Sequence, residues 1–435
     1  MKYFITLFVA LGSALFIRAQ STANCISKDY GVNLSGGEFG SNEPGTDGVD
    51  YTYPKEHEAY TYFSANGFSL IRLPFGWERV QNSAFAALST NDINGIKRSL
   101  DSAQAHGLKV ILDMHNFARY YNIALTESDS GKLADVWSKL VAQFMSHPAL
   151  YGYEIMNEPH DLTGDDATWF PIAQAVVNAI RKVDVSHFIL IPGYSWQSAD
   201  RWASESDELK NIKDPADITR SKILFSAHQY FDSDASGTYS SSCSDTTIGA
   251  TRVQHFIDWL TTNNAKGILT EYGIPSSTCW ESALHCFLTK LNSSDRIVGG
   301  TYWSAGPWWG GYQLSVEPNS DGVSNSHSQM NNVLLNFPSV NCLTSVEADL
   351  NFFDVKAFPN PFDQQIQLDI NLKNSDKSNG TISVCNVLGE EIIKQDLAAT
   401  AGRQSVVLHT EAISKGIYLI RLSFNNTTSI LKVVK

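Results

Sequence analysis

Hydrophobic positions in the first three quarters of the chain alternate between two patterns. Short β-branched runs predict eight strands: Tyr30–Ser35, Ser69–Phe75, Lys109–His115, Tyr151–Asn157, Phe188–Pro192, Lys222–Tyr230, Gly267–Tyr272 and Val298–Ser304. Longer stretches with apolar residues every three or four positions predict helices between them, among them Ile93–His106, Leu133–Ser146, Thr168–Val183, Thr251–Asn263 and Glu281–Leu291. Eight strands joined by helical crossovers predict an α/β fold, a (β/α)8 TIM barrel. A doubly wound open sheet is the alternative, but no G-x-G-x-x-G or phosphate-binding loop follows any strand.

The pattern changes near residue 345. Short alternating segments follow, from Gln364 to Leu372, Gly380 to Val387, Gln404 to His409, Gly416 to Phe424 and Ser429 to Val434. Turn residues such as Asn374-Ser375-Asp376 and Asn425-Asn426 separate them. This spacing predicts a small all-β sandwich. The expected organisation is a signal peptide over 1–19, a catalytic domain over 20–345, a linker over 346–358 and the sandwich over 359–435. The signal peptide rests on Lys2, the apolar run Tyr3 to Ile17, and Ala19 before the expected cleavage point.

Charge narrows the function. The formal net charge is −13, which argues against nucleic acid and against an anionic membrane as partners. Residues 351–435 hold no Trp, so all ten Trp lie upstream, between Trp77 and Trp309. So many flat apolar faces in one domain suit a cleft that stacks sugar rings. Six cysteines in an exported protein, Cys25, Cys243, Cys279, Cys286, Cys342 and Cys385, show no C-x-x-C motif, so neither a zinc ribbon nor a redox pair is supported. Their spacing leaves the pairing open.

In a TIM barrel the chemistry stands at the C-terminal ends of the strands. Six predicted strands end in polar or aromatic groups: Arg72, His115-Asn116, Asn157-Glu158, His228 with Tyr230, Glu271 and Trp303. Two carboxylates at opposite strand ends are what glycoside hydrolysis needs, one as proton donor and one as nucleophile or base. Glu158 and Glu271 are therefore the catalytic candidates. Arg72 is placed to hold the nucleophile ionised. Asn157, His115, His228 and Tyr230 are placed to bind sugar hydroxyls or to orient the carboxylates, and Trp303 offers a ring face. Glu154 shares strand parity with Glu158 and is expected deeper in the barrel or paired; Asp113 is expected to support His115. A metal-dependent hydrolase built on Asp113, His115 and His228 is disfavoured because no H-x-H pair ends a strand. A non-catalytic glycan binder would not need both glutamates.

Eight short motifs in order across residues 26–342 resemble a family 5 glycoside hydrolase of the fungal-type endoglucanase branch. They include Gly31-Val32-Asn33, Arg72-Leu73-Pro74-Phe75, Asp113-Met114-His115-Asn116, Ile155-Met156-Asn157-Glu158-Pro159, Ser195-Trp196-Gln197-Ser198-Ala199, His228-Gln229-Tyr230, Leu269-Thr270-Glu271 and Trp303-Ser304-Ala305-Gly306. The resemblance implies Glu158 as acid/base, Glu271 as nucleophile, and Arg72, His115, Asn116, Asn157, His228, Tyr230 and Trp303 as the substrate-binding surround. It implies a β-1,4-glucan substrate such as cellulose, cut internally, with no cofactor and no metal, by a monomer. Other β-glycans, among them mannan, xyloglucan and mixed-linkage glucan, are the alternative substrates. It also implies disulfides Cys243–Cys279 and Cys286–Cys342. Tyr272 and the pair Trp308-Trp309 depart from the branch's pattern. The tail resembles a type IX secretion sorting domain, carried by Phe358-Pro359-Asn360-Pro361-Phe362, Asn386-Val387-Leu388-Gly389-Glu390, Gly416-Ile417-Tyr418-Leu419 and Lys432-Val433-Val434-Lys435. That implies export across an outer membrane by dedicated machinery, to the medium or the cell surface.

Overall fold

The computed structural model describes residues 26–336, 340–341, 353–372, 378–386, 391–399, 402–411, 413–424 and 427–435. The chain divides into two compact units between Leu343 and Thr344. The expected signal peptide, Cys25, Cys342 and most of the expected linker lie outside the described residues.

The first unit is a closed, all-parallel barrel of eight strands. These are β1 (Asp29–Leu34), β2 (Leu70–Phe75), β3 (Lys109–Met114), β4 (Leu150–Glu154), β5 (Phe188–Pro192), β6 (Ile223–His228), β7 (Gly267–Glu271) and β8 (Ile297–Ala305). The principal crossover helices are α1 (Glu58–Ala65), α2 (Thr90–Ala105), α3 (Ser130–Phe144), α4 (Asp166–Arg181), α5 (Ile248–Thr262) and α6 (Thr278–Ser293). Each forms because one face is apolar. On α3, Leu133, Val136, Trp137, Leu140, Val141 and Phe144 recur at helical spacing and are buried.

Strand parity builds the site. Along β3, Val110, Leu112 and Met114 join the large core between barrel and helices, while Ile111 belongs to a separate cluster with Leu70, Leu190, Leu224 and Ile268. That second cluster fills the barrel's interior. Two residues further along the same strand faces stand Arg72, Asp113, Ser226 and Thr270, all fully buried. The inward face therefore turns from apolar to polar as the strands approach their C-terminal ends. Helical tryptophans tie those ends down: Trp137 Nε1 donates to Ile155 O and Trp169 Nε1 to Pro192 O, each at 2.9 Å.

The second unit is a two-sheet sandwich. One sheet pairs β9 (Phe353–Phe358), β10 (Gln365–Leu372) and β13 (Gly402–His409). The other runs in the order β12 (Glu391–Ala399), β11 (Ser378–Asn386), β14 (Ile417–Phe424) and β15 (Thr427–Val434). All these pairings are antiparallel. Ile366, Leu368 and Ile370 of the first sheet and Ile382, Val384, Ile420 and Leu422 of the second form one core. The period-two alternation that predicts the strands is the alternation that fills it.

Cys243 and Cys279 form a disulfide, which fastens the loop after β6 to the first turn of α6. The implied Cys286–Cys342 bridge is corrected: Cys286 is a free, half-buried thiol on α6. Asn341, next to Cys342, pairs instead with Ile26 in a two-residue antiparallel ladder. Cys385 is a buried free thiol in β11.

Candidate active site

Arg72 stands at the centre of the polar end of the barrel, with no exposed surface. Its Nε donates to Glu154 Oε2 at 2.5 Å, its Nη1 to Glu271 Oε1 at 2.6 Å and Asn33 Oδ1 at 2.8 Å, and its Nη2 to Asn157 Oδ1 at 2.7 Å. Nη2 also lies 3.0 Å from Asp113 Oδ2. Burial disfavours the guanidinium's charge, but the carboxylates of Asp113, Glu154 and Glu271 outweigh burial and raise its pKa. One cation therefore holds three carboxylates and two amides in fixed positions.

Glu271 reaches this cluster through an irregularity. Strict alternation would send Thr270 and Glu271 to opposite faces. The register of β7 against β6 shifts between Leu269, opposite Ala227, and Glu271, opposite His228. Both side chains then serve the interior: Thr270 Oγ1 donates to Glu154 Oε1 at 2.9 Å while Glu271 meets Arg72. Gly273 follows where a Cβ would lie 2.3 Å from Trp303 O, so only glycine fits there.

Glu158 stands beyond the end of β4 with φ +42°. Its backbone N–H donates to Gln197 Oε1 at 2.8 Å, and its Oε1 lies 2.7 Å from His228 Nδ1. The same nitrogen lies 3.5 Å from Glu271 Oε2, which accepts from Tyr230 OH at 2.9 Å. One carboxylate oxygen of Glu158 and one of Glu271 approach within 4.8 Å of each other. Burial lowers the pKa of His228 well below the usual histidine range, with Arg72 and His115 adding to the effect, so the ring is neutral. A neutral imidazole this close to a carboxyl leaves one proton on the line between them.

The two glutamates differ in surroundings. Burial pushes Glu158 well above the usual carboxylate range, and the negative charge of Glu271 pushes it further. Burial raises Glu271 too, but Arg72, His115 and the Tyr230 hydroxyl pull it back toward the ionised form. Glu158 thus favours the protonated form and Glu271 the carboxylate.

The other expected site residues fall into three groups. His115 lies inside the cluster, its Nδ1 2.7 Å from Asp113 Oδ2 and its Nε2 3.2 Å from Asn157 Nδ2. Trp303 stacks against the His115 ring at 5.5 Å and meets the edge of Trp309 at 5.6 Å. Asn116 sits outside the cluster: its Oδ1 accepts from Trp77 N and its Nδ2 donates to Glu78 Oε2, both at 2.6 Å, so its amide fastens the short helix Trp77–Val80. Glu154 and Asp113 are buried partners of Arg72 and His115, as their strand parity predicts.

Three further residues border the cluster, and their residue types alone do not mark them as site groups. Asn33 shares the inward face of β1, and its Nδ2 donates to Thr270 O at 2.9 Å. Gln197 is fully buried beneath Glu158. Trp196, beside it, is 42% exposed, with His160 stacked at 4.6 Å and the Arg201 guanidinium 5.7 Å from its ring centre. A cavity of about 330 Å³ runs from Glu158 and His228 past Trp196, Arg201 and Tyr230 to Asp234 and Ser236.

The family model for cellulase (glycosyl hydrolase family 5) matches residues 27–307. The chain belongs to glycosyl hydrolase family 5. This family 5 chain is 35% identical over 297 residues to endoglucanase 3 of Humicola insolens, covering 67% of this chain and 74% of that protein. It is 32% identical over 331 residues to endo-beta-1,4-glucanase B of Aspergillus niger, covering 74% and 96%. The structure of Pseudomonas stutzeri endoglucanase Cel5A in complex with cellobiose aligns with a TM-score of 0.65 and 40% identity, over 73% of this chain and 93% of that one. Residues 356–435 match the secretion system C-terminal sorting domain, so the family 5 barrel carries an export signal at its C-terminus.

Proposed function

We propose that this protein is a secreted endo-β-1,4-glucanase that hydrolyses internal bonds of cellulose with retention of configuration. The observation that carries the mechanism is the approach of the Glu158 and Glu271 carboxyl oxygens to within 4.8 Å. Retaining enzymes hold their carboxyl groups about 5–5.5 Å apart, whereas inverting enzymes leave about 6.5–9.5 Å for a water between them. The named relatives support the glucan substrate, and the sorting domain supports export. The signal peptide over 1–19, the catalytic segment 20–345, the linker 346–358 and the sorting segment 359–435 complete the reading.

In the first step Glu271 attacks the anomeric carbon while Glu158 gives its proton to the departing glycosidic oxygen. In the second, Glu158 takes a proton from water, the water oxygen bonds to the anomeric carbon, and Glu271 leaves as carboxylate. Arg72 and Tyr230 keep Glu271 ionised and aimed. The second N–H of the Asn157 amide is left for the sugar at the scissile bond, His115 holds that amide in place, and Trp303 closes that side with a ring face. His228 orients Glu158. Trp196 and the cavity beside Glu158 receive the leaving chain.

Carboxymethylcellulose tests this reading. Glu158→Gln and Glu271→Gln each lower the release of reducing ends by at least about a thousandfold while preserving the fold. Wild-type turnover by either variant would overturn it.

A further inference from the structure

The turn after β5 is built unusually. Ser195, Trp196 and Gln197 are three consecutive non-glycine residues at φ +57°, +57° and +55°. L-residues visit this region singly at a cost, and a run of three persists only where its surroundings demand it. The turn is fastened on both sides. Trp196 N donates to Pro159 O at 3.3 Å, His228 N to Gln197 O at 2.8 Å, and Ala199 N to His228 O at 3.0 Å. It thereby bridges the segment that carries Glu158 and the strand end that carries His228.

The side chain of Gln197 completes the bridge. Its Oε1 accepts the N–H of Glu158 at 2.8 Å. Its Nε2 donates to Glu154 Oε1 at 2.8 Å, Ser226 Oγ at 3.0 Å, Ser226 O at 3.2 Å and Thr270 Oγ1 at 3.3 Å. The chemistry fixes which end is which: the Glu158 backbone N–H only donates and the Ser226 carbonyl only accepts, so a carboxamide fits this slot one way round. Glu158 itself holds φ +42°, a conformation its own side chain does not favour. Two groups hold that backbone at 2.8 Å each, the fully buried Gln197 oxygen on its N–H and the half-buried His160 ring on its carbonyl, and of the two only Gln197 is itself anchored to the Arg72 cluster through Glu154.

We infer that Gln197 is a positioning residue for the proton donor: it fixes the left-handed backbone of Glu158, and with it the line from the Glu158 carboxyl to the leaving oxygen. The inference rests on the reading of Glu158 as acid/base. A misplaced acid matters in proportion to how badly the leaving group needs a proton. A sugar hydroxyl leaves only when protonated, whereas a dinitrophenolate leaves as the anion.

The test compares kcat/KM of wild type and Gln197→Met on cellotetraose and on 2,4-dinitrophenyl β-cellobioside, with the full chain. The cellotetraose value falls about 10- to 100-fold, and that fall exceeds the fall on the activated substrate by at least about tenfold. Equal losses on both substrates, or no loss on either, would overturn the inference, because general damage to the barrel also disables Glu271. If Gln197→Met does not accumulate as folded protein, Gln197→Asn gives the same readout, since its carboxamide is one methylene too short to reach both Glu154 and Glu158. Wild type inert on both substrates would instead refute the functional reading beneath it.

Discussion

Arg72 Nη1 and Glu271 Oε1 are 2.6 Å apart in a wholly buried contact, and the same guanidinium also holds Glu154 and Asp113. Three carboxylates on one cation make this contact a structural element as well as part of the proposed catalytic site. A lysine has no planar fork with which to reach all three. Arg72→Lys lowers kcat/KM by about 100-fold or more and lowers the unfolding temperature, because carboxylates are left buried without their partner. Steady-state kinetics beside thermal unfolding check it. A variant near wild type in both would show that the cluster does not depend on arginine.

The raised pKa values of Glu158 and Glu271 set the pH response. On the proposed mechanism activity requires Glu271 ionised and Glu158 protonated, so the acid limb of kcat/KM follows the nucleophile and the alkaline limb the acid. Both limbs lie above the usual carboxylate value of 4.5, the alkaline limb further above. The sign for stability is the reverse of the common carboxylate case. In the folded state Glu158 keeps its proton at pH values where the unfolded chain has lost it, so its contribution falls as pH rises from 4.5 through the folded range. Glu158→Gln does not titrate. It is therefore more stable than wild type at pH 8, and the difference shrinks at pH 5. Denaturant unfolding at the two pH values measures it; a gap that widens toward acid would contradict the burial of Glu158.

Trp196 presents its open face to the cavity beside Glu158, held by His160 beneath and Arg201 nearby. Trp196→Ala raises KM for cellopentaose about three- to tenfold and changes kcat less, since on the proposed reading the ring meets the departing chain and not the reacting atoms. Equal KM values would remove the ring from the binding surface.

The Cys243–Cys279 bridge closes a segment spanning 36 residues in sequence. Replacing both cysteines by serine costs about 2–4 kcal/mol of stability, read as a lower unfolding midpoint in urea. An unchanged midpoint would mean that the loop is held by its other contacts.

The barrel was legible because its rules are local. Alternation predicts β3 and β6 to within two residues at each end, and strand-end chemistry singles out Glu158 and Glu271. What stayed hidden depends on backbone geometry that residue types do not announce. Gln197 lies in a left-handed turn containing no glycine, so nothing in Ser195-Trp196-Gln197 signals that its amide points inward. The inward placement of both Thr270 and Glu271 arises from a register shift in β7, and period-two reasoning cannot foresee it. Asn116 reads from its position as a substrate ligand, but the capping needs of Trp77–Val80 claim its amide. The Cys286–Cys342 bridge is implied by the resemblance alone, and the free thiol of Cys286 on α6 departs from that pattern.

The most direct test of the central claim is trapping with 2,4-dinitrophenyl 2-deoxy-2-fluoro-β-cellobioside, followed by peptide mapping by mass spectrometry. The fluorine slows both steps, and the activated leaving group allows the first to finish, so the enzyme accumulates as its glycosyl ester. The account predicts one added fluorocellobiosyl group, carried by the peptide containing Glu271, and none in Glu271→Gln. A label on another residue, or release of the α-anomer without any label, would contradict it.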